Sequence, residues 1–220
     1  MAQIFRPGAT TLFRCAIAGG FLSFVGLLVF GDALQKSTYI TEVNLPKEQN
    51  PPFSHKHHTS LGIDCRYCHT TAETSSFAGI PPTRTCMNCH SQIWNESPML
   101  EPVRESWRTG ESLKWNRVHD LPQFVYFNHS IHVNKGIGCA SCHGRVDQMP
   151  LVRRENTLYM GWCLDCHRDP SKFIRPRENI TDMAYATSPE QQAKIGAELI
   201  QKYHVNTNDF RMLDCYNCHR

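Results

Sequence analysis

The longest apolar segment of the chain lies close to its N-terminus. Residues 15–31 carry no charged side chain, and with Leu12 and Phe13 the apolar run reaches about 20 residues, or roughly 30 Å as a helix. This length is sufficient to cross a bilayer, so the pattern predicts one transmembrane helix within residues 1–33. The run also exceeds the usual apolar core of a signal peptide, about 7–15 residues, so we expect it to be retained as an anchor.

Charged residues on either side of the apolar run predict its orientation. Arg6 and Arg14 precede the centre of the run, and Asp32 follows it directly. Because positive charge favours the cytoplasmic side of a membrane, we expect the rest of the chain to lie on the outer side.

Little regular periodicity follows the anchor. Residues 34–52 read as a linker with prolines near its end, and residues 91–110 also look irregular. One helix is clearly predicted: Ser188, Pro189 and Gln191 form a capping box that opens a helix to about Tyr203. Three apolar side chains share one face of this helix. They are Ile195, Leu199 and Tyr203.

The composition indicates an unusual interior. The 220 residues include 11 cysteines, 12 histidines, 13 glycines and 13 prolines, and the part after the anchor is polar and poor in aliphatic residues. The formal charge of +3 is spread evenly along the chain, which argues against a nucleic-acid partner. Something other than aliphatic side chains is therefore expected to fill the core.

Ten of the eleven cysteines form five Cys-x-x-Cys-His motifs, which we number as sites 1 to 5 in chain order. They are site 1 (Cys65, Cys68, His69), site 2 (Cys86, Cys89, His90), site 3 (Cys139, Cys142, His143), site 4 (Cys163, Cys166, His167) and site 5 (Cys215, Cys218, His219). Zinc ribbons, disulfide frameworks and thioredoxin-like pairs also use Cys-x-x-Cys, but none of them requires the histidine that follows. The motif is the attachment signature of haem c, in which two thiols bind one porphyrin and the histidine ligates its iron.

Five covalent haems would leave too little protein to surround each haem separately, so the porphyrins are expected to form the core. Their propionates would add about ten negative charges and bring the net charge to about −7. The helix that ends near Tyr203 is then expected to cover the haem of site 5. Covalent haem attachment takes place outside the cytoplasm, in agreement with the predicted orientation.

An internal repeat precedes sites 1 and 3. At an offset of 74 residues the two copies share Phe-x-His-x-x-His, three residues and Gly-Ile, followed by the attachment motif. The matched pairs are Phe53 and Phe127, His55 and His129, His58 and His132, Gly62 and Gly136, and Ile63 and Ile137. Histidines three apart lie on one side of a helical turn, so each pair can point to neighbouring haems.

This arrangement resembles the class III multihaem cytochromes c. The resemblance implies that His55 is the distal ligand at site 1 and His129 the distal ligand at site 3, and that His58 and His132 ligate two further haems whose identity stays open. That family would also place a histidine shortly before site 4, where this chain has only Met149 and Met160. For the fifth distal ligand we favour His119, with Met149, Met160, His204 or an open position as alternatives.

The segment 115–167, with the haem number, the repeat and the anchor, resembles the pentahaem cytochrome subunit of alternative complex III, a bacterial menaquinol-oxidising complex. The resemblance implies an electron-transfer subunit at the cytoplasmic membrane with its haems on the periplasmic face. The implied partners are an iron–sulfur subunit, polytopic quinol-binding subunits, a monohaem cytochrome c, and a soluble cytochrome c or blue copper protein as acceptor.

The expected fold is a multihaem c-type cytochrome of short helices and loops with little strand. We expect a first haem module of two haems at residues 53–110 and a second module of three haems at residues 111–220. Two other classes stay open: a multihaem reductase, which needs one iron with an open position, and a membrane-anchored quinol dehydrogenase that acts on its own. The spare histidines argue against a reductase, because they are enough to fill the open position that it needs. A single membrane helix offers little room for a quinol, which argues against a quinol dehydrogenase that acts on its own.

Overall fold

The computed structural model describes residues 6–207 and 210–219 and divides the chain into two units, residues 1–42 and 43–220. The first unit contains helix α1 (Pro7–Lys36) and the short helix α2 (Thr38–Thr41). Proline at the start of α1 suits the first helical turn, and Lys36 pairs with Asp32 at 2.8 Å in the last turn. Among the described residues, α1 is the one helix long and apolar enough to span a membrane, so the predicted apolar helix is confirmed.

The second unit is built from short helices joined by loops. They are α3 (His55–Ser60), α4 (Cys65–Cys68), α5 (Thr83–His90), α6 (Glu101–Thr109), α7 (His129–Asn134), α8 (Cys139–His143), α9 (Met160–Arg168), α10 (Pro189–Lys202) and α11 (Cys215–Cys218). Single 3-10 turns lie at Pro98–Leu100, Val146–Gln148, Pro170–Lys172, Arg177–Asn179 and Phe210–Leu213. Over the described part of the chain, β pairing is limited to isolated bridges and no strand forms, as expected for this fold class.

Helix α6 corrects the expectation that residues 91–110 are irregular. It begins after the 3-10 turn with Pro102 near its N-terminus and ends at Gly110, whose φ of 79° is the left-handed conformation that glycine adopts easily. Val103 and Ser106 are buried on α6, and the Ser106 hydroxyl lies 2.6 Å from that of Thr83 on α5. The sequence pattern did not reveal this helix because its buried face includes a serine, whose hydroxyl bonds to that of Thr83 and donates to the carbonyl of Glu111.

Helix α10 forms with the predicted capping box, in which Ser188 and Gln191 each accept from the other's backbone N–H. Its apolar face does not cover site 5, contrary to expectation. Leu199 and Tyr203 pack with Ile174, and Ile137 lies against the same cluster directly before site 3. Hydrophobic periodicity shows which face of a helix is buried, but it does not show which part of the protein that face packs against.

Gly196 allows α10 to approach the turn at Pro170–Lys172. A Cβ atom at this position would lie 2.1 Å from the carbonyl oxygen of Ser171, which is backbone and has little freedom to move. We therefore expect Gly196→Ala to lower the free energy of unfolding by about 1–3 kcal/mol. Denaturant unfolding monitored by circular dichroism measures this effect. Glu198→Ala, on the exposed side of α10, is the control, and equal midpoints for the two variants would contradict the packing argument.

Candidate haem-binding sites

Each attachment motif lies on a short helical turn, which brings its two cysteines to the same side. Sites 1, 3 and 5 occupy α4, α8 and α11, and sites 2 and 4 lie within α5 and α9. Asp64 and Asp214 cap α4 and α11 by accepting from the backbone N–H two residues ahead. None of the ten motif cysteines forms a disulfide, so each is available for a bond to a porphyrin.

The histidines of the described residues meet in pairs across sites 1 and 3. The ring centroids of His55 and His69 are 6.4 Å apart with the planes 7° from parallel. His129 and His143 repeat this arrangement at 6.4 Å and 9°. Since a coordinated histidine places its nitrogen about 2 Å and its ring centroid about 3 Å from the metal, two axial histidines on one ion have centroids about 6 Å apart. Both pairs have the separation that an iron between them requires.

The second histidine of each repeat copy faces a different motif. His58 lies opposite His90 of site 2, with centroids 6.2 Å apart and planes at 70°. His132 lies opposite His167 of site 4, at 6.1 Å and 28°. The centroid separations again match two axial ligands of one metal ion. The structure thereby places a candidate partner for each of the two histidines whose haems the sequence left open.

Hydrogen bonds at Nδ1 give most of these histidines the tautomer that a metal ligand needs. In six of them Nδ1 donates to a backbone carbonyl, which is only an acceptor, so Nε2 keeps its lone pair free. The bonds are His58 to Ser54 (2.8 Å), His69 to Gly79 (2.7 Å), His90 to Ile93 (3.0 Å), His129 to Ser76 (2.9 Å), His132 to Asn128 (2.7 Å) and His167 to Met212 (2.9 Å).

The residues that begin α3 and α7 orient the second histidine of each copy. The side chains of Ser54 and Asn128 cap their helices, and their carbonyl oxygens accept from His58 and His132. Sequence analysis missed this role, although serine and asparagine directly before a helical His-x-x-His are the residue types preferred at such a cap.

The repeated phenylalanine holds both histidines of its copy. Phe53 packs edge-on to His55 with centroids 4.8 Å apart and stacks on His58 at 4.4 Å. Phe127 makes the same two contacts with His129 and His132, at 4.8 Å and 4.5 Å. The aromatic position of the repeat therefore sets the relative directions of the two rings.

Burial keeps several of the rings uncharged. Burial, with smaller contributions from neighbouring histidines and, for His119, from Arg154, lowers the pKa of His55 and His119 to about 4 and that of His143 to about 3. Burial also lowers the pKa of His132. These imidazoles are neutral near pH 7, which is the state in which histidine binds metals.

Three buried polar atoms in the described part of the chain have no hydrogen-bond partner: Nδ1 of His55, Nε2 of His119 and Nε of Arg175. Arg175 donates to the hydroxyl of Ser141, inside the motif of site 3, at 3.3 Å. A Cβ at position 138 would lie 2.4 Å from its guanidinium, so Gly138 leaves it room beside the site. A buried cation with an unused donor next to an attachment motif suits an acidic group such as a haem propionate.

The structure does not bring His119 to site 5. The ring of His119 contacts His143 of site 3, with centroids 4.2 Å apart and planes at 76°. The ring that faces His219 is Phe124, at 5.9 Å and 28°. His119 as the fifth distal ligand stays a prediction.

The alternatives to His119 lie in different surroundings. Met149 is 1% exposed and its carbonyl accepts from the backbone N–H of Lys56 on α3, whereas Met160 is 63% exposed at the start of α9. His204 follows α10 with a φ of 50°.

Comparison with known proteins agrees with the haem chemistry. Residues 125–220, which include sites 3 to 5, match the family described as cytochrome c7 and related cytochrome c. The chain is also 38% identical over 136 residues to the menaquinone reductase multiheme cytochrome c subunit of Nitratidesulfovibrio vulgaris (strain Hildenborough). That match covers 59% of this chain and 61% of the relative, so the chain spans about three fifths of the relative's length. The predicted fold class, a multihaem c-type cytochrome of short helices, is confirmed.

Proposed function

We propose that this chain is an electron-transfer subunit that carries electrons through five covalently bound haems c. It works within a membrane quinol-oxidising complex of the alternative complex III type and delivers electrons toward a soluble periplasmic acceptor. The observation that carries the proposal is the set of four histidine pairs, each with ring centroids 6.1–6.4 Å apart and each including the histidine of a different attachment motif.

In the ligand scheme that we propose, this chain would supply both histidines that hold the haem at four sites. His69, His90, His143 and His167 would be the proximal ligands, and His55, His58, His129 and His132 would be the distal ligands at sites 1, 2, 3 and 4 respectively. His219 would be the proximal ligand at site 5. His119, the sequence-based candidate for the fifth distal ligand, contacts His143 of site 3 instead. Nitrogen on both axial positions favours low-spin iron, which changes charge with little rearrangement of its ligands.

In this scheme the residues of the chain support electron transfer and do not take part in making or breaking the bonds of a substrate. A bound haem would supply a one-electron redox couple, and a histidine on each face would leave its iron no open position at those four sites. The carbonyls at Nδ1 and the phenylalanines of the repeat hold the rings in place during the change of charge. We therefore propose a carrier subunit rather than an enzyme in its own right.

Helix α1 supports attachment to the bacterial cytoplasmic membrane, with the second unit on the periplasmic face. The relative in Nitratidesulfovibrio vulgaris is named as a subunit of a menaquinone reductase, which supports a place in a multi-subunit quinone complex. We propose an iron–sulfur subunit, polytopic quinol-binding subunits and a monohaem cytochrome c as partners, with a soluble cytochrome c or blue copper protein as acceptor.

The name of the relative favours a second candidate function, in which electrons move in the opposite direction. A chain of the same chemistry in a menaquinone reductase would pass electrons toward quinone instead of away from it. The ligand scheme is the same in both cases, because the direction depends on the potentials of donor and acceptor.

Purification of the native complex through an affinity tag on this chain tests the proposed role. We expect polytopic and iron–sulfur subunits to co-purify, and a menaquinol analogue to reduce the haems in the complex but not in the isolated chain. Haem reduction by quinol in the isolated chain would show instead that this subunit oxidises quinol itself. Haem oxidation by a menaquinone analogue, without reduction by the quinol, would favour the second direction.

A further inference from the structure

Helix α3 connects sites 1 and 2. His55 and His58 are three residues apart on this helix and face His69 and His90 respectively. The motifs themselves also touch, because Nδ2 of Asn88 in site 2 donates to the hydroxyl of Tyr67 in site 1 at 3.0 Å. Sites 1 and 2 are therefore neighbours.

Helix α7 connects sites 3 and 4 in the same way. His129 faces His143 and His132 faces His167. Because the two histidines are three residues apart on this helix, sites 3 and 4 are neighbours.

Sites 1 and 3 meet although their motifs are offset by 74 residues in the sequence. Asp64, directly before Cys65, accepts from the hydroxyl of Thr181 at 2.9 Å, while the neighbouring carbonyl of Ile180 accepts from the backbone N–H of Cys139 at 3.0 Å. One short segment of chain thus holds both attachment turns together.

Sites 4 and 5 meet through the turn that precedes site 5. Nδ1 of His167 donates to the carbonyl of Met212 at 2.9 Å, two residues before the cap of α11. The 3-10 turn Phe210–Leu213, which includes Met212, contacts both α9 and α11.

We infer that the five attachment sites form a single line in the order 2, 1, 3, 4, 5, so that electrons enter and leave at sites 2 and 5. This inference rests on the proposed function and specifies the path that electrons take through the haems. The path departs from chain order at its beginning, because site 1 lies between sites 2 and 3. The repeat explains the departure: each copy braces one pair of sites, and the pairs join through the first site of each copy.

Nuclear Overhauser contacts between haem substituents test the order in the fully reduced, full-length chain in detergent micelles. We expect contacts between the haems of sites 2 and 1, 1 and 3, 3 and 4, and 4 and 5. A contact between sites 2 and 3, or none between sites 1 and 3, would overturn the order. The intact mass of the same sample gives its haem number and tests the proposed function separately. Five haems would leave the proposed function intact even if the order were wrong. Fewer haems would count against the proposed function itself.

Two matched variants separate end sites from interior sites. Removal of the site 2 haem by Cys86→Ser with Cys89→Ser is expected to leave three of the four contacts. Removal of the site 1 haem by Cys65→Ser with Cys68→Ser should leave only two. Equal losses in the two variants would contradict an interior position for site 1. If either variant fails to fold, anomalous diffraction at the iron edge from the unaltered chain decides the order from the iron positions.

Discussion

Replacement of His58 or His132 by alanine is expected to convert one low-spin haem per chain to high spin. Each ring faces a motif histidine at 6.1–6.2 Å, and each has its Nδ1 hydrogen committed to a carbonyl, so that Nε2 is left for the iron. Loss of the ring removes a strong-field ligand that the alanine methyl group does not replace. Electron paramagnetic resonance of the oxidised full-length protein measures the change, and the double variant should show two high-spin haems.

His57→Ala is the matched control, because His57 lies on the same helix but is exposed and aligns with Ile131 in the second copy of the repeat. We expect this variant to keep the spectrum of the unaltered protein. If His58→Ala and His132→Ala both left every haem low-spin, the ligand scheme would be wrong.

Replacement of His55 or His129 by methionine is expected to raise the reduction potential of one haem by on the order of 100 mV. Thioether sulfur stabilises ferrous iron relative to imidazole, so the altered haem should be reduced before its neighbours. The two rings occupy equivalent places in the repeat, each nearly parallel to its partner at 6.4 Å. Potentiometric titration of each variant should therefore show one upward shift, and sites 1 and 3 should respond alike.

His57→Met provides the control for an added thioether away from the paired rings. An unchanged titration curve in both His55→Met and His129→Met would contradict the assignment of these residues as ligands. A shift in the control as well would show that the effect does not depend on the position of the sulfur.

The repeat allowed much of the site to be predicted from sequence. Histidines three apart on one helical turn had to point in related directions, and the two copies indeed present their rings in matching ways at His55 and His129. The sequence did not reveal which motifs His58 and His132 face, because that depends on how separate loops fold back. The same limit applies to His119, whose contact with His143 arises between residues 24 positions apart.

Elements without strong periodicity were harder to predict. Helix α10 was predicted from its capping box, whose signal lies entirely within four residues, but its packing against Ile174 was not. Helix α6 was missed because it buries Ser106 through a contact with Thr83. Local signals such as a helix cap can be recognised in the sequence, whereas the residues that a helix face packs against depend on the tertiary structure.

The number of covalent haems is the most direct test of this account. Pyridine haemochrome absorbance, combined with the intact mass of the purified full-length chain, gives the haem content per polypeptide. The account predicts five haems, one at each pair of motif cysteines. A chain with clearly fewer than five covalent haems would contradict it.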